Sequence, residues 1–481
     1  QNTTSFEWPE NEITPIFKEF VKAYNSNDLK KLKAFTTKYY EKDFVEGAAY
    51  WPSIFADFRQ IEPFKVATDW SNKNRLTIWF LGKKTKNFVQ ISMPMNADNT
   101  KIIGKSVLRG PKPAGKAPPY QPISDKQMNA HLTAYLDELD HIDFFSGSVL
   151  VAKGNTVLFE KSYGESNKKN NRKNNANTSF NIGSTTKPFT ALAIAQLEKQ
   201  GKLKFTDPIS KFIPEYPKDI ANQVTIHHLL NHTSGIELDD YEPFNIDSRK
   251  AKNLNEALKV QITHIDSLNE GRRKNFKVLN KYDYSNEEYV LLGAVIERVS
   301  GMSYGDFIQK YIISPLNMQH SITNVNRLKF VKNKAIGYTY KDKKSNFING
   351  LTERHENGGP RNKYYTTPEG GIYSTPRDLY TFFKAINNHK IVSKNVQQTL
   401  HTKHAKLYED KEEGLHYGYG FQINREGTTE IIGHGGTAPG VGSRWFYYPK
   451  TDHYVIVLSN YGSMAGSAVS RHIQSVIESN Y

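Results

Sequence analysis

The stretch from Phe180 to Glu198 constrains this chain more than any other. It sets Ser184 and Lys187 three residues apart, at the head of Ala191–Glu198, a strongly apolar helical run. The chain has 481 residues, ample length for the large core such a helix needs. On a helix, residues i and i+3 share a face about one turn apart, which brings the lysine nitrogen beside the serine hydroxyl. A serine hydroxyl is a weak nucleophile until a neighbouring base accepts its proton. A Ser-x-x-Lys pair supplies that base locally, and the helix N-terminus favours developing negative charge. Taken alone the spacing is common, and an N-capping serine followed by a solvated lysine accounts for it. Its apolar setting and two partners further along the chain single it out.

Composition narrows the class. Hydrophobic residues make up 37% and aromatics 12%, as in a polar globular protein of two or three domains. No apolar run reaches bilayer length, so no membrane span is expected. The absence of Cys excludes disulfides, thiol catalysis and Cys-based metal sites. A chain opening on Gln1 and a polar Asn-Thr-Thr-Ser predicts an export signal already removed, hence a secreted or periplasmic protein; a trimmed chain reads the same. The net charge of +15 raises nucleic acid as a partner. Against it, the Lys and Arg residues are scattered, and the densest cluster, Lys168–Asn175, is Asn-rich and reads as a solvated loop. No nucleic-acid partner is expected; loose attraction to an acidic envelope polymer is the more natural use of the charge.

Taken in order, residues 12–24 carry apolar side chains at helical spacing, and Asp28 caps a second short helix. Strand-like runs follow at 64–70, 75–81, 87–93 and 101–108, predicting an α+β unit over residues 1–109. Its opening residues, 20–35, resemble the start of NTF2-like cone domains, which implies an accessory role or self-association. Residues 110–123 form a Pro-rich linker. The remainder, 124–481, opens with a helix to about Leu139 and a hairpin, 148–152 with 157–160. Helical patterns dominate to about Asn317, strands return from Tyr417, and a helix over 465–478 closes the chain. A hairpin at one end and strands at the other predict one sheet built from both ends of the domain, with a large helical insertion between.

Two further elements carry chemistry. Tyr282-Asp283-Tyr284-Ser285-Asn286 sets a phenol and a carboxamide two residues apart ahead of a helix. Tyr284 can shuttle the Ser184 proton with Lys187, and Asn286 can hold both the lysine nitrogen and a substrate amide. An aromatic turn with Asn286 as helix cap is the plain alternative. Ile431–Thr437 follows a short apolar run and contains His434-Gly435-Gly436. Glycines permit close approach of a substrate backbone, and an edge strand offers it N–H and C=O groups. The N–H groups of Ser184 and Thr437 can together form an oxyanion hole.

With Ser184-x-x-Lys187, Tyr284-x-Asn286 and His434-x-Gly436 in this order, the region from Ser124 resembles the serine β-lactamase/penicillin-binding-protein-like family, in its class C and DD-peptidase/esterase/D-aminopeptidase branch. The stretches 224–236, 314–318 and 370–375 carry the same resemblance. It implies an α/β (α+β) fold with a β-lactamase-like sheet flanked by helices. It further implies an acyl-forming Ser184, Lys187 as its proton partner, and Tyr284 as base or base partner. Asn286, His434, Gly436 and Thr437 are implied on the substrate side. No metal or cofactor is implied, and His227, His228 and His232 fall in a structural segment of the family. His434 stands where β-lactamases have lysine, and an unperturbed imidazole, with a pKa of about 6.5, is mostly neutral at pH 7. The His-Gly-Gly form is similar to that of D-aminopeptidases. Glu369, beside Gly370-Gly371, is a candidate for favouring a substrate amine over a carboxylate if it faces the cleft. Three readings follow: a hydrolase of D-amino-acid peptides, amides or small esters; a penicillin-binding carboxypeptidase or β-lactamase; and a binding module that has lost turnover.

Overall fold

The structure is a computed structural model, and it describes residues 6–26, 28–41, 60–66, 71, 73–82, 88–103, 106–109, 123–141, 143–236, 238, 247–268, 276–339, 355–356, 364–407, 415–426 and 429–478. Nearly all of the expected linker, 110–122, lies outside these residues, as do 67–70, 87 and 104–105 of the expected strands. Packing groups the residues up to Phe144 and from Ser467 onward in one compact unit. The described residues within Phe145–Asn346 and Arg354–Gly466 form the other.

The first unit begins with α1 (Thr14–Asn25) and α2 (Leu29–Tyr39), the latter capped by Asp28, whose carboxylate accepts from the Lys30 N–H at 2.9 Å. Four strands follow: β1 (Ile61–Val66), β2 (Arg75–Gly82), β3 (Phe88–Pro94) and β4 (Ser106–Arg109). They pair antiparallel in that order. Phe17, Phe20 and Tyr24 fall on one face of α1 at helical spacing and are buried with Phe35, Ile78, Phe80 and Ile91. Phe17 stacks on Phe80 with ring centroids 5.6 Å apart, so the helix pair is held on the sheet by aromatic burial. Helix α3 (Asp125–His141) belongs to the same unit.

The second unit contains the longer sheet. It opens with the hairpin β5 (Gly147–Lys153) and β6 (Thr156–Tyr163), then the short β7 (Phe180–Asn181). Next come α4 (Lys187–Lys199), α5 (Ile226–Leu230) and α6 (Asn286–Ser300), the short β8 (Tyr373–Ser374) and α7 (Pro376–Asn387). The run of strands is β9 (Ala405–Lys406), β10 (His416–Tyr417), β11 (Gln422–Glu426), β12 (Thr429–Ala438), β13 (Val441–Tyr448) and β14 (His453–Ser459); the closing helix α8 (Ser463–Glu478) belongs to the first unit from Ser467 onward. The sheet order is β9-β10-β11-β12-β13-β14-β5-β6. Its last strands in sequence thus pair with its first, from Ser459 opposite Gly147 to His453 opposite Lys153. Strand β14 is buried along its whole length and β5 up to its last residue, which explains their apolar runs without polar alternation. Helix α7 lies between the sheet and α4: Phe383 stacks on Trp445 of β13, and Phe382 on Phe189 of α4. From Lys187 to Ala195 every residue of α4 is buried, so this helix is the centre of the unit.

Two positions tie the sheet to the head of α4. Strand β11 pairs with β12 only as far as Gln422 opposite Gly433, whereas β13 continues to Val441 opposite Ala438. Residues 434–438 therefore leave one edge clear of β11, and the turn before α4 packs against this segment. A Cβ on Gly436 would lie 2.1 Å from the Ile182 carbonyl oxygen and 2.9 Å from the Ser184 nitrogen. We expect Gly436→Ala to push strand and turn apart and lower any Ser184 reactivity by about 100-fold or more, read as the rate of covalent labelling. His434, inside β12, is 1% exposed. Burial, and secondarily the Lys187 charge, pushes its imidazole from 6.5 down to about 3. Below pH 6.5 the unfolded chain then binds a proton that the folded chain refuses, so this contribution destabilises the fold as pH falls toward 3. At pH 4.5 it amounts to about 2–3 kcal/mol. Melting curves from pH 7 to 4.5 should show a smaller acid-induced loss for His434→Asn than for the unmodified chain.

Candidate functional site

The residues between β7 and α4 form a tight turn whose backbone is fixed from three sides. β7 pairs with β8, and the Ile182 N–H donates to the Ile372 carbonyl at 3.1 Å. Gly183 has φ +51°, a left-handed conformation that glycine adopts without penalty, and its N–H donates to Asn181 Oδ1 at 2.7 Å. Ser443 of β13 donates through its hydroxyl to the Ile182 carbonyl at 2.6 Å and meets Thr185 Oγ1 at 2.8 Å. Residues Gly183–Thr186 then run as one 3₁₀ turn into α4. Ser184 is thereby held half-buried at the foot of the helix, with Lys187 fully buried one turn on.

Two side chains converge on Ser184. The Tyr284 hydroxyl donates to Ser184 Oγ at 2.9 Å, and Lys187 Nζ donates to it at 3.3 Å. Lys187 Nζ also donates to Asn286 Oδ1 at 2.7 Å and to the Glu369 carbonyl at 3.2 Å. Three acceptors surround its three N–H positions, and the Tyr284 ring centre lies 4.7 Å away. Ser285 occupies the N-cap position of α6 and Asn286 its first turn, so the start of that helix fixes the distance between phenol and carboxamide. The sequence motifs separated by about one hundred residues thus meet at one oxygen atom.

The backbone of β12 completes the site. A Cβ on Gly183 would lie 3.2 Å from the Thr437 nitrogen, so the N–H-bearing segments of Ser184 and Thr437 pack backbone to backbone. The His434 ring, expected on the substrate side, instead turns inward. Its Nδ1–H donates to the Gly435 carbonyl at 2.7 Å, leaving Nε2 to accept from the Tyr417 hydroxyl at 2.8 Å. Buried and neutral, it supplies no fixed cation to a substrate carboxylate; its strand neighbours Gly436 and Thr437 are what reach Ser184. Glu369 also differs from expectation. The residue is 4% exposed, and it meets Lys187 through its main-chain carbonyl. The physical reason is that Pro368-Glu369 passes behind α4, where the Pro368 carbonyl accepts from Thr190 at 2.7 Å.

Sequence reasoning missed His232, Glu288 and Tyr417. His232 Nδ1 and a Glu288 carboxyl oxygen are in close hydrogen-bond contact, both side chains fully buried, behind Tyr284. Glu288 sits in the first turn of α6, where an acid reads simply as favourable to the helix dipole, so no periodicity signal marked it as buried. His227, by contrast, bonds to the Tyr419 hydroxyl at 2.6 Å and His228 closes a capping box with Thr225, which are structural duties. Among the described residues no group of three His, Asp or Glu side chains is placed to hold a metal ion, and no helix is long and apolar enough to cross a membrane.

The comparisons with known proteins show the family and the fold. Residues 132–476 match the family model described as Beta-lactamase. Penicillin-binding protein 4* of Bacillus subtilis (strain 168) is 32% identical over 342 residues, covering 69% of this chain and 71% of that protein. The crystal structure of a penicillin-binding protein from Bacillus halodurans superposes with a TM-score of 0.59 at 27% identity, covering 72% of this chain and 99% of that one. The D-amino acid amidase of Ochrobactrum anthropi SV3, in complex with L-phenylalanine amide, superposes with a TM-score of 0.60 over 73% of this chain and 99% of its own; at 22% identity that likeness is one of fold. The family match covers well over half of the sequence and includes the Ser184 turn, the Tyr284 loop and β12, and this chain therefore belongs to the Beta-lactamase family of serine hydrolases.

Proposed function

We propose that Ser184 is the nucleophile of an acyl-transfer cycle that hydrolyses a peptide, amide or ester bond. The observation that carries this reading is the convergence of Tyr284 and Lys187 on Ser184 Oγ, at 2.9 and 3.3 Å. In the reactive form the Tyr284–Lys187 pair holds one proton fewer than ammonium plus phenol, and Ser184 Oγ attacks the carbonyl carbon while its proton passes to that pair. The Ser184 and Thr437 N–H groups receive the oxyanion, an arrangement whose individual donors are commonly worth about 10²–10³ in rate. The proton returns to the departing amine or alcohol, leaving an acyl-serine. A water that gives its proton to the same pair then cleaves the ester and restores the hydroxyl. Asn286, on Lys187, is placed to contact the substrate amide as well.

The substrate class we favour is a D-amino-acid peptide or amide, or a small ester. A buried, uncharged His434 supports it, since that ring offers no cation to a substrate carboxylate. The likeness to penicillin-binding protein 4* favours a second reading, a penicillin-binding carboxypeptidase or β-lactamase. A binding module without turnover fits less well with a fully assembled Ser184–Lys187–Tyr284–Asn286 set. Residues 1–109, two helices on a four-stranded sheet, serve in this proposal as an accessory unit, with an NTF2-like cone as its expected class.

Kinetics on a D-amino-acid amide, a D-Ala-D-Ala peptide, a penicillin and an uncharged p-nitrophenyl ester test the proposal. Ser184→Ala and Lys187→Met should each reduce kcat/KM on every substrate by about 10³-fold or more, and Tyr284→Phe by about 10²-fold or more. A Ser184→Ala protein that keeps its activity would refute the nucleophile, and preference for the D-Ala-D-Ala peptide and penicillin would transfer the substrate assignment to the second reading. Because the Glu369 carboxylate is buried, Glu369→Ala should leave the ratio of rates on amine- and carboxylate-bearing substrates within about twofold; a larger change in ratio would put that side chain in the cleft.

A further inference from the structure

His232 brackets the loop that carries Tyr284. Its backbone is left-handed, with φ +60°, an uncommon conformation for a residue with a side chain. The Asp283 N–H donates to its carbonyl at 2.7 Å, and the Ser285 N–H points at its Nδ1 from 3.3 Å. One histidine thus takes the main-chain hydrogen bonds on both sides of Tyr284. Its ring also packs on the Tyr284 ring, with centroids 4.3 Å apart, inside a cage completed by Tyr417, Tyr289 and Tyr282.

The hydrogen-bond directions assign the protons. Glu288 accepts at one carboxyl oxygen from the Ser234 hydroxyl and N–H, and its other oxygen meets His232 Nδ1. The Ser285 N–H is a donor aimed at the same Nδ1, so that nitrogen must present a lone pair rather than a hydrogen. The proton between His232 and Glu288 then resides on the carboxyl, and the imidazole carries its own hydrogen at Nε2. Nε2 is buried and has no hydrogen-bond partner among the described residues; the ring sits in the aromatic cage, where an N–H against a ring face is a tolerable contact. Burial acts in the same sense on both groups, lowering the His232 pKa well below its ordinary value and raising that of Glu288 well above.

We infer that His232 and Glu288 are positioning residues for Tyr284: a protonated Glu288 carboxyl donates to a neutral His232, which in turn fixes the Tyr284 loop and ring against Ser184 without adding charge beneath Lys187. The inference rests on the proposed role of Tyr284. An ionised Glu288 would place a second, opposite charge under Lys187 and hold its ammonium more tightly protonated, working against proton uptake from Ser184. The neutral pair avoids this. The ionisable groups facing the pair are Lys187 from α4, Tyr282, Asp283 and Tyr284 from the loop, Glu287 and Tyr289 from α6, Tyr417 from β10 and His434 from β12.

The discriminating variant is Glu288→Gln, made in the full chain. A glutamine amide can donate to His232 Nδ1 and accept from Ser234 as the carboxylic acid does, so its acylation rate should stay within about threefold of the parent, with an unchanged pH profile. His232→Leu removes the Nδ1 half of the bracket and the ring packed on Tyr284, and should slow acylation by about 30-fold or more, while prolonged fluorophosphonate treatment still reaches one adduct per chain. Nitrogen NMR of histidine-labelled protein supplies a readout independent of activity: His232 should hold its hydrogen on Nε2 and stay neutral from pH 6 to 8. A Glu288→Gln protein as impaired as His232→Leu, a shifted pH profile, an imidazolium signal from His232, or a His232→Leu protein with parental acylation would each overturn the inference. If the parent protein takes no adduct at Ser184, it is the acyl-transfer reading that fails; the NMR result still decides the proton assignment.

Discussion

The site depends on how one buried amine is satisfied. Lys187 has no exposure, and an ammonium removed from water is costly unless donors and acceptors match. Three of its acceptors come from three separate parts of the chain: Ser184 from its own turn, Asn286 from the start of α6 and the Glu369 carbonyl from the segment behind α4. No local segment can provide them. The helical insertion, the residue 364–375 region and α4 must all be in place before Lys187 can be buried, so the group that assists the chemistry is also a check on assembly. A change at any of the three acceptors leaves a buried donor unsatisfied, a loss of about 1–3 kcal/mol or more in stability as well as a displaced amine.

The sheet meets this centre from the other side. Gly436 and Gly183 let β12 and the Ser184 turn approach at distances no side chain would allow, and Ser443 bonds the two together. Close backbone packing positions N–H groups more rigidly than side chains can, which suits an oxyanion that exists only briefly. His434 contributes to the same rigidity rather than to charge. Locked between Gly435 and Tyr417, it is a buried hydrogen-bonding link in the strand. Lys187 is a buried cation at Ser184, and the Arg444 guanidinium lies over Gly435 on the neighbouring strand.

Much of this was legible in the residues. The apolar run after Lys187 marked a buried helix, and the hairpin near residue 150 with the strand-like runs after Tyr417 marked a sheet formed by both ends of the domain from Ser124. Spacing brought Ser184 beside Lys187 because helix geometry is local. What spacing could not reveal was the direction of side chains outside regular elements. Glu369 read as a carboxylate near a Gly-Gly turn, yet its peptide rather than its side chain serves Lys187. Glu288 read as a helix-dipole acid, because burial of a charged residue is visible only when the segment covering it, His232–Ser234, folds over it from fifty residues away. The His434 ring could be assigned to β12 but not to a face, since strand alternation needs a known register and the register was set by β13.

The measurement that bears most directly on the account is intact mass after incubation with a penicillin and, separately, a fluorophosphonate, with peptide mapping of any adduct and Ser184→Ala run alongside. The account predicts at least the fluorophosphonate adduct, one per chain, located on the peptide containing Ser184 and absent from the variant. An adduct elsewhere, an adduct that survives in Ser184→Ala, or no adduct with either probe on folded protein would contradict it.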